Sequence, residues 1–224
     1  MAQTPTPLTP QAPANRRFRR RWSIAILLLG VTAALIPEVC RVALGSNFHE
    51  VLPGRLYRAA QTSGATLEDD IHTYSIRTVI NLRGPNPGED WFEDEERVTK
   101  RCGVGFVSVN MSASDKPQEQ NLRLLIETFD QCPTPALLHC TSGSDRSGFA
   151  SACYLLLKTA TPLAEARSQL SLRFGHFSWG RAGCLNQVLD QYEGWLRAQG
   201  LVHQPDNFRR WATNYYKKDD WPSH

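Results

Sequence analysis

The chain has 224 residues, 41% of them hydrophobic and 9% aromatic, enough for one domain of ordinary size with a buried core and a short appendage. Its formal charge of +3 has one origin: Arg16, Arg17, Arg19, Arg20 and Arg21 stand together without an acidic neighbour, and the remainder is slightly acidic. That balance excludes a basic nucleic-acid binder. The six cysteines show neither Cys-x2-Cys spacing nor a disulfide framework, so no structural zinc site is expected.

Residues 1–21 read as a disordered basic tail, rich in Pro, Thr, Gln and Ala before the arginines. An apolar run from Trp22 to Ile36 follows. It predicts a transmembrane signal anchor over 22–44, if Glu38 and Arg41 sit near the interface. A cleaved signal peptide with Val31-Thr-Ala33 as its site is the alternative, and a buried soluble helix fits the adjacent arginines poorly. The positive-inside rule keeps the arginines in the cytoplasm. In a bacterium this gives a single-pass inner-membrane protein with a periplasmic domain, against cytoplasm-facing or secreted alternatives.

After Gly45 the pattern becomes α/β and runs to residue 216, leaving 217–224 as a tail. Strand-like runs are Arg55–Ala59, Arg77–Leu82, Gly105–Val109 and Ala136–Cys140. Helix-like stretches are Thr66–Tyr74, Glu89–Arg101, Gln118–Gln131, Ser147–Lys158, Pro162–Phe174, Ala182–Ala198 and Asp206–Tyr216. Alternation of strand and helix predicts a central, mostly parallel sheet flanked by helices. Open sheets of this kind build sites at the C-terminal ends of their strands.

One such end carries His139-Cys-Thr-Ser-Gly-Ser-Asp-Arg-Ser-Gly148. Five residues separate Cys140 from Arg146 in a short loop between a strand and a helix. The backbone N–H groups of such a loop can converge on an anion, and the helix N-terminus adds partial positive charge. Arg146 offers a bidentate fork for phosphate oxygens. The same field favours a thiolate on Cys140, which points to phosphate-ester chemistry through a cysteinyl-phosphate intermediate.

The loop resembles the signature of the protein tyrosine phosphatase superfamily, in the bacterial form of its compact dual-specificity branch. Cys-x5-Arg alone also occurs in rhodanese-like sulfurtransferases, but His139, Gly143, Ser147 and Gly148 match as well. The likeness extends over about residues 48–216. Phe48–Gln61 resembles the opening strand segment, Val79–Gly84 the second strand and turn, and Arg173–His176 with Tyr192, Trp195, Phe208 and Trp211 the C-terminal helices. The resemblance implies that Cys140 is the nucleophile and that His139 holds the loop. Arg146 and the backbone of Thr141, Ser142, Gly143, Ser144 and Asp145 would bind phosphate, and Ser147 would assist departure of the thiolate. Gly143 permits unusual backbone angles and close approach to the ligand.

A general acid must protonate the leaving oxygen. Asp115, in Asn110–Pro117 after the strand Gly105–Val109, lies where compact dual-specificity phosphatases carry theirs, although Asp there also suits a helix cap. Asp145, inside the loop, is the rival; lipid-directed members of the superfamily have Asp just before the arginine. Ser144 stands where lysine is common in those loops, although Arg83 and Lys116 lie in neighbouring ones. Trp91, Trp195 and Trp211 read as packing residues. His176 reads as a pocket-mouth residue or a structural hydrogen-bonder, and the acidic run Glu89–Glu96 as a solvated helix face. No metal or cofactor is expected. The expectation is therefore a membrane-tethered, cysteine-dependent phosphatase acting on phosphomonoesters of the phosphotyrosine or dual-specificity type. A lipid, lipopolysaccharide, glycan or inositol phosphate is the alternative substrate class. A catalytically silent phosphate-binding module and a sulfurtransferase are the competing classes.

Overall fold

The computed structural model describes residues 45–219, together with residues 21, 23, 24, 26, 27, 29 and 30, which are helical. The chain divides into two compact units at Cys40/Arg41, and the domain that follows belongs to the second. Its five strands form one sheet in the order β1-β2-β5-β3-β4: β1 His49–Leu52, β2 Leu56–Ala60, β3 Thr78–Asn81, β4 Gly105–Ser108 and β5 Ala136–Cys140. Only β1, a hairpin partner of β2, runs antiparallel; the other pairings are parallel. β5 lies between β2 and β3, and all five of its residues are buried, which is why it reads as an uninterrupted apolar run up to His139.

Alternate strand residues serve opposite faces. Leu56, Ile80 and Leu138 join the larger core with Leu122, Leu125, Phe129, Phe149, Tyr192 and Phe208. Tyr57, Val79 and Leu137 join the smaller one with Leu67, Ile71 and Val98. The smaller face is covered by α1 (Gly64–Thr73) and α2 (Asp90–Cys102). The larger is covered by α3 (Glu119–Gln131), α4 (Asp145–Lys158), α5 (Leu163–Arg167), α6 (Cys184–Ala198) and α7 (Pro205–Asn214). α4 is the central one: every residue from Ser147 to Leu157 is buried. That burial fixes the loop that feeds its first turn.

The expected α/β sheet flanked by helices is found, with strand limits within a residue or two of the sequence reading. Two elements differ. β1 adds an antiparallel edge, and the helix expected over Pro162–Phe174 ends at Arg167, followed by a 3-10 turn at Leu172–Phe174. A tertiary contact overrides helical propensity in that stretch: the Gln169 carbonyl accepts from Arg58 Nη1 at 2.9 Å, across the chain.

The membrane-related expectations are corrected. Among the described residues no helix is long and apolar enough to cross a membrane. The helical residues described in the expected anchor lie between Arg21 and Gly30. The described residues thus provide no helix for the transmembrane segment, the tethered form of the enzyme, the membrane as partner or the single-pass inner-membrane placement with a periplasmic domain. Residues 22, 25, 28 and 31–44 of the anchor expected over 22–44 lie outside the described residues, as does the tail expected to be disordered up to residue 20.

Candidate active site

The segment Cys140–Ser144 connects β5 to α4, and each of its five carbonyls is tied outward. Gln61 N–H donates to Cys140 O (2.7 Å) and Thr141 O (3.3 Å). Asn47 Nδ2 donates to Ser142 O at 3.0 Å. Arg58 Nη2 donates to Gly143 O at 2.7 Å and Ser144 O at 3.0 Å. The backbone N–H groups of Thr141–Ser147 find no protein acceptor among the described residues. With every carbonyl facing away, the amides are left for a ligand, as an anion cradle requires.

Gly143 sits at φ +71°, and a Cβ there would lie 2.7 Å from Ala60 N and 2.8 Å from the Ala59 carbonyl carbon. Both the left-handed backbone and the close approach to β2 require glycine.

Arg146 Nη2 donates to Thr141 Oγ1 at 2.8 Å across the loop, and its Nε is buried without a protein partner. A buried guanidinium donor with no acceptor is costly, and a phosphate oxygen supplies one. Cys140 is 1% exposed and is a free cysteine. Ser147 is fully buried, its hydroxyl donating to Ala59 O at 3.3 Å.

Beneath the loop lie His139, to which the sequence resemblance gives the part of holding it, and Arg58 and Glu95, to which it gives none. Arg58, in mid-β2, is 0% exposed. It donates to Gln169 O and Oε1 (2.9 Å each) besides the two loop carbonyls, and stacks 4.2 Å over the Phe174 ring. Burial pushes its guanidinium down to about 9, opposed by the nearby Cys140 and Asp145, so it stays charged at neutral pH. His139 Nε2 lies 2.7 Å from Glu95 Oε1, and both side chains are buried. The acidic run on α2 is thus not wholly solvated, because Glu95 faces inward with Phe92, Val98 and Thr99. A charged residue inside an apolar strand and an acid on the buried stripe of a helix were the available signals for Arg58 and Glu95.

The two candidate acids differ in their surroundings. Asp115 is exposed, with Oδ2 2.5 Å from Lys218 Nζ and Oδ1 accepting from Lys116 N–H at 2.8 Å. The Lys218 contact, seconded by that N–H, holds its carboxyl below the ordinary value. Asp145 opens α4, and its Oδ1 lies 2.8 Å from Nδ1 of the buried His176. His176 Nε2 meets the Asn186 amide at 2.8 Å. His176 is therefore a structural hydrogen-bonder, and its partner is a loop acid. Both carboxylates raise the Cys184 thiol, behind the larger effect of burial, so both lie near the start of α6.

Trp211 packs in the larger core as expected, whereas Trp91 carries the Arg83 guanidinium 3.6 Å over its ring. One set of side chains with metal-binding chemistry lies elsewhere: Glu68, His72 and Cys102, with ligand atoms within 4.8 Å of one another. The Glu68 carboxylate is already engaged by Arg101.

A mostly parallel α/β sheet whose central strand ends in an amide-lined Cys140–Arg146 loop defines a cysteine-dependent phosphoric monoester hydrolase of the tyrosine and dual-specificity phosphatase superfamily. Residues 46–179 match the family described as Swiss Army Knife protein, DSP-PTPase phosphatase domain, and the chain belongs to that family. No curated protein matches it. Among solved structures it is similar to a DUF442 protein from Shewanella putrefaciens, with TM-score 0.52 and 16% identity over 70% of this chain and 97% of that one. It is also similar to TpbA of P. aeruginosa, with TM-score 0.51 and 18% identity over 75% and 91%. At such identities the likeness is one of fold.

Proposed function

We propose that the domain hydrolyses phosphomonoesters in two displacements at Cys140, with Asp145 as the proton donor. Cys140 Sγ attacks phosphorus and the bond to the ester oxygen breaks; the departing alcohol or phenol takes a proton from Asp145. Water then attacks the cysteinyl phosphate and gives a proton back to the Asp145 carboxylate. The P–S bond breaks and inorganic phosphate leaves. Arg146 and the amides of Thr141–Ser147 hold the equatorial oxygens as charge builds on them. The observation that carries this reading is the outward tethering of all five carbonyls from Cys140 to Ser144.

The choice of Asp145 over Asp115 rests on what each carboxyl touches. A general acid must hold a proton near working pH. Lys218 at 2.5 Å stabilises Asp115 as the carboxylate. Asp145 faces an imidazole that can serve either state. His176 Nδ1–H donates to the carboxylate while Asn186 Nδ2 donates to Nε2; after a change of tautomer and a flip of the Asn186 amide, the acid donates to Nδ1 and Nε2–H donates to the amide oxygen. The substrate class is that of a dual-specificity enzyme. TpbA has been solved in complex with pTyr, which supports aryl phosphates as assay substrates.

Metal-free turnover of p-nitrophenyl phosphate tests the mechanism. Cys140→Ser is expected to abolish it, and surviving turnover overturns the cysteinyl phosphate. Asp145→Asn is expected to lower kcat by about 100-fold and to remove the alkaline limb of the pH profile, with Asp115→Asn changing kcat less. A larger loss from Asp115→Asn returns the role to Asp115.

A further inference from the structure

Arg83 lies one strand away from the nucleophile and belongs to none of the contacts that shape the loop. It leaves β3 just after Asn81, which pairs with His139 in β5, and Leu82 N–H donates to His139 O at 2.9 Å. Its backbone is pinned: the N–H donates to Asn81 Oδ1 at 2.8 Å, and the residue bridges to Asn110. Its side chain is held by two neutral groups. The guanidinium lies 3.6 Å over Trp91, and Nη1 donates to Gln61 Oε1 at 3.2 Å. Gln61 is the residue whose N–H bonds Cys140 O, so Arg83 and the loop share one bracket.

This arginine is fixed in place without being neutralised. Among the described residues no carboxylate contacts it; Glu95 and Glu89 act on it only from farther off, and Glu95 is paired with His139. After burial, the largest influence on its guanidinium is repulsion from Arg146, and it also senses Cys140. Two arginines repelling one another beside a phosphate loop, one of them propped on a ring and an amide, are relieved by anions on both. A single phosphoryl group uses the loop amides and Arg146, so Arg83 is left for a different anion.

We infer that Arg83, braced by Trp91 and Gln61, forms a second anion subsite beside the catalytic loop, and that the preferred substrates are small phosphomonoesters carrying a further phosphate close to the one removed. The inference rests on the phosphatase reading above. Arginine suits the task because its planar fork takes two phosphate oxygens while its face stays on the indole. The subsite acts on binding, so selectivity between ligands with one and two phosphates reports it.

The test uses the full chain carrying Cys140→Ser, titrated calorimetrically with a vicinal inositol bisphosphate, the matching monophosphate and inorganic phosphate. The bisphosphate is expected to bind more tightly than the monophosphate. Adding Arg83→Met is expected to weaken the bisphosphate by about tenfold or more, the scale of a charge-assisted hydrogen bond, and the other two ligands by several-fold less. Arg83→Lys, which keeps charge without the stacked fork, is expected to fall between. If Arg83→Met does not fold, Trp91→Leu decides by the same ratio. Equal binding of the two inositol phosphates by the Cys140→Ser chain, or equal losses across ligands in the Arg83 variants, overturns the subsite. Failure of inorganic phosphate to bind even with Arg83 intact is a separate result, and it strikes the phosphatase reading itself.

Discussion

Arg58→Met isolates the part of the site hidden from solvent. Arg58 meets neutral acceptors only: two from Gln169 and the carbonyls of Gly143 and Ser144. Methionine fills much of the space but donates nothing. Ser144 O keeps the Gly148 N–H at 3.1 Å, whereas Gly143 O loses its donor, a cost of about 1–3 kcal/mol for a buried carbonyl. The stacked contact with Phe174 at 4.2 Å is lost too, about 1–2 kcal/mol when desolvated. Relief of the buried charge offsets part of this, so the net destabilisation is about 2–4 kcal/mol. Equilibrium urea unfolding followed by tryptophan fluorescence measures it. The folded variant is also expected to bind vanadate more weakly, because the loop carbonyl that Arg58 turns outward is free to rotate. Arg58→Lys restores charge but not the four-way fork, and recovers only part of either effect. A variant within about 0.5 kcal/mol of the parent, with unchanged vanadate inhibition, refutes the claim that Arg58 sets the loop.

Gly143→Ala, which forces a Cβ to 2.7 Å from Ala60 N at φ +71°, is expected to cost about 2 kcal/mol or more and to reduce p-nitrophenyl phosphate turnover by at least about 100-fold; near-normal kinetics would show that the loop tolerates another backbone path. Asp130→Asn addresses stability away from the site. Arg209 on α7, then Lys158 at the end of α4, hold this carboxyl below its usual 3.8. Because the folded value is lowered, the contribution is present above the unfolded value and fades as pH falls through the folded one. The variant is therefore expected to be about 1 kcal/mol less stable at neutral pH and to converge with the parent in acid, and a gap that persists at low pH contradicts the charge origin.

The parts legible in the sequence were those whose cause is local. β5 announced itself by an apolar run, the loop by residue spacing, and α4 by its uninterrupted small and apolar residues. Arg58 was not legible because the acceptors that justify its burial lie 85 to 111 residues away in sequence. The same contact unwinds the predicted Pro162–Phe174 helix, since Gln169 must turn its carbonyl to Arg58. Glu95 was legible in principle. Phe92, Glu95, Val98 and Thr99 form one helical stripe, but the surrounding acids of residues 89–96 drew attention to the solvated side. The sequence allows His176 as a structural hydrogen-bonder, but its neighbours give no sign that the bond reaches a loop acid.

Partner choice around the nucleophile follows a consistent division. Arg58 and Arg83 rest on carbonyls, amides and aromatic rings, and the one protein hydrogen bond recorded for Arg146 goes to a hydroxyl; among the described residues none of the three contacts a carboxylate. The nearby acids are held by other groups: Glu95 by His139, Asp145 by His176 and Asp115 by Lys218. Neutral partners fix a guanidinium in space without cancelling its charge, whereas a carboxylate in the same place would cancel it. The site therefore keeps a positive field at a loop whose amides already face inward, and it does so with rigid groups that need little reorganisation when phosphate arrives. Stability is given up for that arrangement, because like charges are held close together and Arg58 is buried without a counter-ion. An anionic substrate recovers it on binding, which ties ligand affinity to the stability of the fold.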